Sequence, residues 1–79
     1  MNWQDYIVAE ENILTGKPVI EGTRLSVEFL LGLMAQGWSE QQLLDNYPRL
    51  IPEHLHAVFA YLHYCMKDGL LDYPFKQSA

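Results

Sequence analysis

Apolar and polar positions divide the chain into an extended N-terminal arm and a helical body. Over residues 1–25, short β-prone runs at 6–8, 18–20 and, more weakly, 23–25 alternate with turn-forming residues. Strands this short do not form an independently stable sheet. We therefore expect the arm to lie against the helices or to pair with a second copy of the protein.

Capping signals bound the first two predicted helices. Helix one begins at Ser26, a residue type that caps helix N-termini, and ends at Gly37, which tolerates the left-handed conformation of a C-terminal cap. Because this helix is apolar over most of its circumference, we expect it to be the central and most buried one. Helix two begins at Ser39, which can form a capping box with Gln42, and ends before Pro48.

The third predicted helix begins at Pro52, whose missing N–H would be unpaired at the first helical position in any case, and ends at Asp68-Gly69. An apolar stripe, widened by Val58 and Cys65, follows it at helical spacing, and its members are Leu55, Phe59, Leu62 and Met66. Helices two and three, joined by a short turn, have the layout of a helix-turn-helix. The pattern predicts a mainly α, three-helix domain with a short N-terminal β arm.

Length and composition bound the architecture and the partners. The 79 residues make one domain, with an arm (1–25), a helical core (26–69) and an apolar tail (70–79) that we expect to pack on the body or on a partner. A chain this short buries only about 60% of its unfolded surface, so a dimer would stabilise it. The net charge of −5 argues against strong non-specific nucleic-acid binding.

Cysteine usage and hydropathy indicate the compartment. Cys65 is the only cysteine, which fits a reducing cytoplasm. The N-terminus lacks the pattern of a signal peptide, and no apolar run approaches the roughly 20 residues needed to span a bilayer. We expect a cytoplasmic protein without a membrane partner.

Several motifs occur in a characteristic order along the chain. They are Gly-Lys-Pro-Val-Ile at 16–20, Gly-Thr-Arg at 22–24, Gly-Trp-Ser-Glu at 37–40, and Tyr-Pro at 47–48 followed by Pro-Glu at 52–53. Together, over roughly residues 6–64, they resemble the domain-of-unknown-function-433 family of small prokaryotic proteins. The resemblance implies a homeodomain-like helix-turn-helix fold. Some members are similar to type II antitoxins encoded beside a PIN-like ribonuclease toxin, which implies masking of a toxin and binding to the operon's own promoter.

The chain departs from the family pattern at four positions. Glu21 stands where a basic residue is frequent, and Ile51 replaces the usual threonine cap before Pro-Glu. His54 stands at a usual aspartate, and His56 at a position that is often basic. The last two changes alter the front of the recognition helix, where arginine would favour DNA readout.

A nucleic-acid surface can be assigned residue by residue. The face of helix three would consist of Glu53, His54, His56, Ala57 and Ala60, of which His54 and His56 can donate to bases. The cations available for phosphates are Lys17, Arg24, Arg49 and Lys67. Two alternatives stay open: Arg24 forms a structural ion pair with one of its acidic neighbours, and the helix face is presented to protein.

The aromatic residues outside the core stripe indicate a protein interface, since tyrosine is enriched at binding hot spots. The candidates are Tyr6, Tyr61, Tyr64, Tyr73 and Phe75. The alternative is that these large side chains wrap around a small core.

Catalysis, metal binding and cofactor binding find no support in the sequence. His54 and His56 point to different sides of a helix, and His56 and His63 lie about 10 Å apart, so neither pair chelates one ion within a monomer. The 16–24 segment lacks the Lys-Ser/Thr of a phosphate-binding loop. Cys65 is expected to be a buried, inert thiol.

The sequence therefore predicts a non-enzymatic binding protein. The leading hypothesis is an antitoxin-like regulator that forms a homodimer and binds a PIN-like ribonuclease, with duplex DNA as a second partner. The alternatives are a stand-alone DNA-binding transcription regulator and a protein-interaction module.

Overall fold

The structure, a computed structural model, describes residues 1–69, so the predicted tail at 70–79 lies outside the described residues. Three α-helices follow a two-stranded antiparallel sheet. The elements in chain order are a 3₁₀ turn at Trp3–Asp5, strand β1 at Ile7–Val8, a tight turn at Leu14–Gly16, strand β2 at Val19–Ile20, and helices α1 at Val27–Ala35, α2 at Glu40–Asn46 and α3 at Pro52–Lys67. The predicted mainly α, three-helix domain with a short β arm is confirmed.

The helix boundaries follow the predicted caps. The Ser26 side chain accepts a hydrogen bond from the Phe29 N–H at 2.9 Å. Ser39 and Gln42 form the expected capping box, with side-chain to backbone distances of 3.1 and 2.7 Å. Gly37, at φ +102°, provides the left-handed turn after α1.

Helices α2 and α3 are joined by residues 47–51. Pro48 follows the end of α2 as predicted, and the Leu50 N–H donates to the Tyr47 carbonyl at 2.9 Å to close the turn. Leu50 is buried, whereas Pro52 occupies the first turn of α3. The short linker gives the order and spacing of a helix-turn-helix.

The β arm contains two strands rather than three. Ile7 pairs with Ile20, and Val8 with Val19. The predicted third strand at 23–25 does not form as a strand: the Thr23 hydroxyl donates to the Ile20 carbonyl at 2.8 Å and accepts from the Leu25 N–H at 3.0 Å. Only the end of the segment pairs with β2, where the Leu25 carbonyl accepts from the Ile20 N–H at 2.9 Å and Ser26 forms an isolated bridge with Val19. The two bonds of the Thr23 hydroxyl fold the segment into a turn that leads into α1.

The arm packs against α3 of its own chain. The Trp3 ring lies edge-on to Tyr61, with ring centroids 4.9 Å apart. Tyr6 contacts His54 in the same manner, with a centroid distance of 5.8 Å. The buried core is therefore shared by the sheet and all three helices, and its members are Ile7, Ile20, Val27, Leu30, Leu43, Leu50, Leu55, Ala57 and Val58.

The predicted apolar stripe of α3 is wrong at two of its four positions. Phe59 is 47% exposed and Met66 is 64% exposed. The residues facing inward are Leu55, Val58, Leu62 and Cys65. Both sets obey helical spacing from Leu55, so periodicity alone does not separate them.

The prediction that helix one is the most buried is also wrong. Two of the nine residues of α1 are buried, against four of sixteen in α3, so the helices are buried to similar degrees. Phe29 on α1 remains 45% exposed. Although α1 is apolar on most sides, it is not a central helix, and part of its apolar surface is exposed.

Candidate binding surfaces around the helix-turn-helix

The outward side of α3 carries apolar and imidazole groups. His56, Phe59, His63 and Met66 are all exposed, and their spacings of three and four residues place them on one side of the helix. We call these four residues the α3 face. Residues 52–66 contain no lysine or arginine. This composition resembles the aromatic- and methionine-enriched, lysine-poor centre of a protein interface.

The predicted base-reading positions are only partly available. Glu53 and His56 are exposed, and Ala60 is partly exposed. Ala57 is fully buried in the core, so its assignment to the outer face is wrong. The arrangement leaves His56 as the one predicted histidine that is exposed at the front of α3.

His54 closes the N-terminus of α3 instead of pointing outward. Its Nδ1 accepts a hydrogen bond from the Ile51 N–H at 3.2 Å. Ile51 has no side-chain acceptor, so His54 supplies the half of a capping box that a Glu or Gln normally supplies from this position. Burial lowers the pKa of His54, and the carboxylates of Glu53 and Glu21 partly oppose that shift. His54 is therefore a structural cap, and it holds the neutral form at neutral pH.

Lys17 is occupied by an ion pair. Its Nζ lies 2.8 Å from the Glu28 Oε1 on α1. The hydrogen bond and charge of Lys17 lower the pKa of Glu28. Both side chains are well exposed, so the pair is accessible but carries no net charge. Among the predicted phosphate contacts, Lys17 thus contributes least to a positive surface.

Arg24 and Arg49 line one groove, which we call the arginine groove. It lies between the turn before α1 and the α2–α3 turn and has a volume of about 410 Å³. Its remaining lining residues are Thr23, Leu25, Tyr47 and Pro48. The Arg49 guanidinium donates to the Gly22 carbonyl at 3.0 Å. The structure therefore brings together two of the five predicted nucleic-acid contacts, and His54 does not line this groove.

The predicted interface tyrosines have different environments. Tyr6 and Tyr61 are half-buried and pack on the core, whereas Tyr64 is 47% exposed beside the Trp3 ring, at a centroid distance of 5.4 Å. Tyr73 and Phe75 lie outside the described residues. For Tyr6 and Tyr61 the packing matches the alternative in which large side chains wrap around a small core.

Cys65 is buried, as expected for a structural thiol. Burial, together with the neighbouring Cys65, raises the pKa of Tyr61. Over residues 1–69 no group of three or more histidine, cysteine or acidic side chains is arranged to hold a metal ion. In the same span, no helix combines the length and apolar character needed to cross a membrane.

Comparison with known proteins assigns the chain to a protein family. The family model described as "Protein of unknown function (DUF433)" matches residues 7–62, which include both turns that form the arginine groove and most of α3. The chain belongs to the DUF433 family. A crystal structure of a DUF433 member protein from Anabaena variabilis at 2.00 Å resolution is 31% identical to this chain, with a TM-score of 0.74.

That similarity covers 82% of this DUF433 chain and 64% of the Anabaena chain, so this protein spans under two thirds of the length of the one it resembles. No curated protein matches the chain significantly. The family assignment therefore fixes the fold and leaves the activity to be argued from the surfaces.

The sequence did not predict the arginine groove as a unit. Arg24 and Arg49 were each identified as candidate cations, but 25 positions separate them and no local periodicity relates them. The Gly22 carbonyl that accepts from Arg49 becomes available because Gly22 adopts φ +80° in the turn after β2. The sequence signal that could have indicated this groove is the presence of the Gly-Thr-Arg motif at 22–24 and the Tyr-Pro motif at 47–48, most of whose residues line it.

Proposed function

We propose that this DUF433 protein is a non-enzymatic binding protein, an antitoxin-like regulator that forms a homodimer and masks a PIN-like ribonuclease. The observation that carries the proposal is the α3 face. Phe59 and Met66 are 47% and 64% exposed there, on a helix without a cation before Lys67. Exposed aromatic and methionine side chains without neighbouring charge favour a protein partner over phosphate.

The antitoxin role itself comes from the family resemblance, and the α3 face is compatible with it. An exposed apolar face without lysine or arginine can be buried against a complementary surface of a partner protein. The arm is held by α3 within one chain, so the homodimer rests on the exposed apolar side chains rather than on unpaired strands.

The test is co-expression with a PIN-like ribonuclease encoded beside the gene, followed by size-exclusion chromatography with light scattering and an RNA-cleavage assay. We expect a stable complex and loss of cleavage. Phe59→Glu should weaken the complex by about thirtyfold or more, the effect of losing one hot-spot side chain. Phe29→Glu is the matched control, because Phe29 on α1 is 45% exposed and receives the same charge.

Three results would count against this proposal. A complex that tolerates Phe59→Glu but not Phe29→Glu would move the interface to α1. No complex, or no neighbouring ribonuclease gene, would remove the antitoxin role. A free protein that scatters only as a 9.2 kDa species at micromolar concentration would remove the homodimer.

The second candidate function is DNA binding, and the helix-turn-helix spacing with Arg24 and Arg49 beside the turn favours it. Its supply of cations is small, since Lys17 is paired and specific binders make about 6–10 phosphate contacts. If DNA is bound, Arg24→Ala and His56→Ala should each weaken binding to a labelled duplex from the upstream region. Fluorescence anisotropy at low and high salt measures this, and the absence of a complex even at low salt would exclude it.

A further inference from the structure

The arginine groove is a positive site on an acidic protein. The chain has ten acidic residues and five basic ones. Within the described part, residues 1–69, the one ion pair joins Lys17 to Glu28, and neither Arg24 nor Arg49 pairs with a carboxylate. Two guanidinium groups that line the same groove carry like charges, so their electrostatic interaction is unfavourable. An anion between them would relieve that repulsion.

The fold positions these two side chains. Arg49 follows Pro48 in the α2–α3 turn and is tied to the turn after β2 by its 3.0 Å bond to the Gly22 carbonyl. Arg24 lies two residues after Gly22 and makes no hydrogen bond to another group in residues 1–69. Within residues 1–69, the Arg49 guanidinium is thus held by a hydrogen bond, and the Arg24 guanidinium has its donors available for a ligand. Planar guanidinium groups match the two oxygens of a carboxylate.

The floor of the groove is apolar. Leu25, Tyr47 and Pro48 line it, and the Thr23 hydroxyl is already engaged by the turn it closes. The Tyr47 ring packs against the Phe29 and Trp38 rings, with centroid distances of 6.0 and 6.5 Å. A ligand that fills the groove therefore presents an apolar group next to its negative charge.

We propose that the arginine groove binds an extended segment of a partner protein that carries an aspartate or glutamate beside an apolar side chain. The carboxylate lies between Arg24 and Arg49, and the apolar side chain lies on Leu25 and Tyr47. The two arginine charges complement a single carboxylate, and the apolar floor complements an apolar side chain. A phosphate backbone would need many more cations and would leave the apolar floor unused. The site is separate from the α3 face and does not depend on the toxin partner.

The experiment is a nitrogen-15 NMR titration of the full-length protein. The probe is the pentapeptide acetyl-Ala-Leu-Asp-Leu-Ala-amide, and its matched control has asparagine in place of aspartate. We expect the acidic peptide to shift the amides of 22–25 and 47–50. The asparagine peptide should bind about tenfold more weakly or worse, because it lacks the charge-assisted hydrogen bonds. Added salt should weaken the acidic peptide selectively.

Variants separate the groove from general electrostatics. Arg24→Ala should weaken the acidic peptide by about tenfold with an unchanged spectrum elsewhere, since Arg24 makes no hydrogen bond to another group in residues 1–69. Arg49→Gln removes the charge and retains a polar side chain at this exposed position, so it should give the same loss in a folded protein. Lys67→Ala is the control for net charge and should leave binding unchanged.

Three results would overturn the proposal of this site, and a fourth would separate it from the proposed function. Equal shifts from the aspartate and asparagine peptides would make the groove an apolar pocket only. Shifts confined to residues outside 22–25 and 47–50, or no shifts at millimolar peptide, would show that the groove does not take an acidic segment. A duplex that shifts these amides where the peptide does not would assign the arginines to phosphate. Loss of the toxin complex with retained peptide binding would reject the proposed function and keep this site.

Discussion

Leu55→Ala should lower the free energy of unfolding by about 2–5 kcal/mol, whereas Phe59→Ala should lower it by less than about 1 kcal/mol. Leu55 is fully buried between the arm and the helices, and truncation leaves a cavity in a core of nine residues. Phe59 is 47% exposed and gives up contacts that water replaces. By residue type alone the order would be reversed, since buried phenylalanine is worth at least as much as leucine.

Urea unfolding followed by circular dichroism measures both changes, provided that the dependence on urea concentration is the same for each variant. A short domain has little stability to lose, so Leu55→Ala is expected to be largely unfolded at room temperature. If that variant cannot be measured, Val58→Ala offers a smaller truncation at another fully buried site. A loss for Phe59→Ala that equals the loss for Val58→Ala would contradict the assignment of the α3 face.

The sequence predicted those features of the fold that local chemistry decides. Ser26, Ser39 and Pro52 each act on backbone groups within one helical turn, so their roles could be recognised from neighbouring residues. Gly37 is needed for a left-handed turn for the same kind of local reason. All of these boundaries agree with the structure to within a residue or two.

The sequence failed where packing between distant segments decides. From Leu55, a helical stripe can continue through Val58 and Cys65 or through Phe59 and Met66, and both choices are apolar. The arm settles the matter, because Trp3 packs on Tyr61 and so fixes which side of α3 faces inward. That contact joins residues far apart in sequence, and no spacing rule predicts it.

The candidate sites, too, have parts that the sequence predicts and parts that depend on packing between distant segments. The positive charges were identified from composition, but the pairing of Lys17 with Glu28 and the convergence of Arg24 and Arg49 both depend on the turn after β2. That turn was predicted as a third strand. An extended segment at 23–25 would have placed Arg24 along a sheet edge instead of opposite the α2–α3 turn.

The start of α3 is capped from one side only. Ile51, the residue before the helix, offers no side-chain acceptor, so the helix lacks a cap from that position. His54 makes the reciprocal bond and accepts from the Ile51 N–H. An aspartate there would remain a hydrogen-bond acceptor at any pH above its own titration, whereas a histidine accepts only while it is neutral. A histidine at this position therefore introduces a pH dependence near neutrality.

We expect the stability of the protein to fall as His54 is protonated. In the folded protein its pKa lies below the ordinary value of 6.5 because burial disfavours the charged ring. The unfolded chain therefore binds the proton more tightly, and stability must rise with pH. The contribution is complete above the unfolded pKa and is lost as pH falls through the lower folded pKa. Between about pH 7.5 and 5, the melting temperature should decrease as the pH is lowered.

Two variants isolate this contribution. His54→Ala should cost about 1 kcal/mol at neutral pH, the typical loss of a helix cap, and should flatten the pH dependence. His54→Gln should keep the stability and also flatten it, because glutamine accepts from the Ile51 N–H without titrating. His56→Gln is the control, since His56 is exposed on the α3 face and caps nothing. A pH dependence that survives His54→Gln and disappears in His56→Gln would contradict this prediction. The stability would then depend on His56 instead of on the cap made by His54.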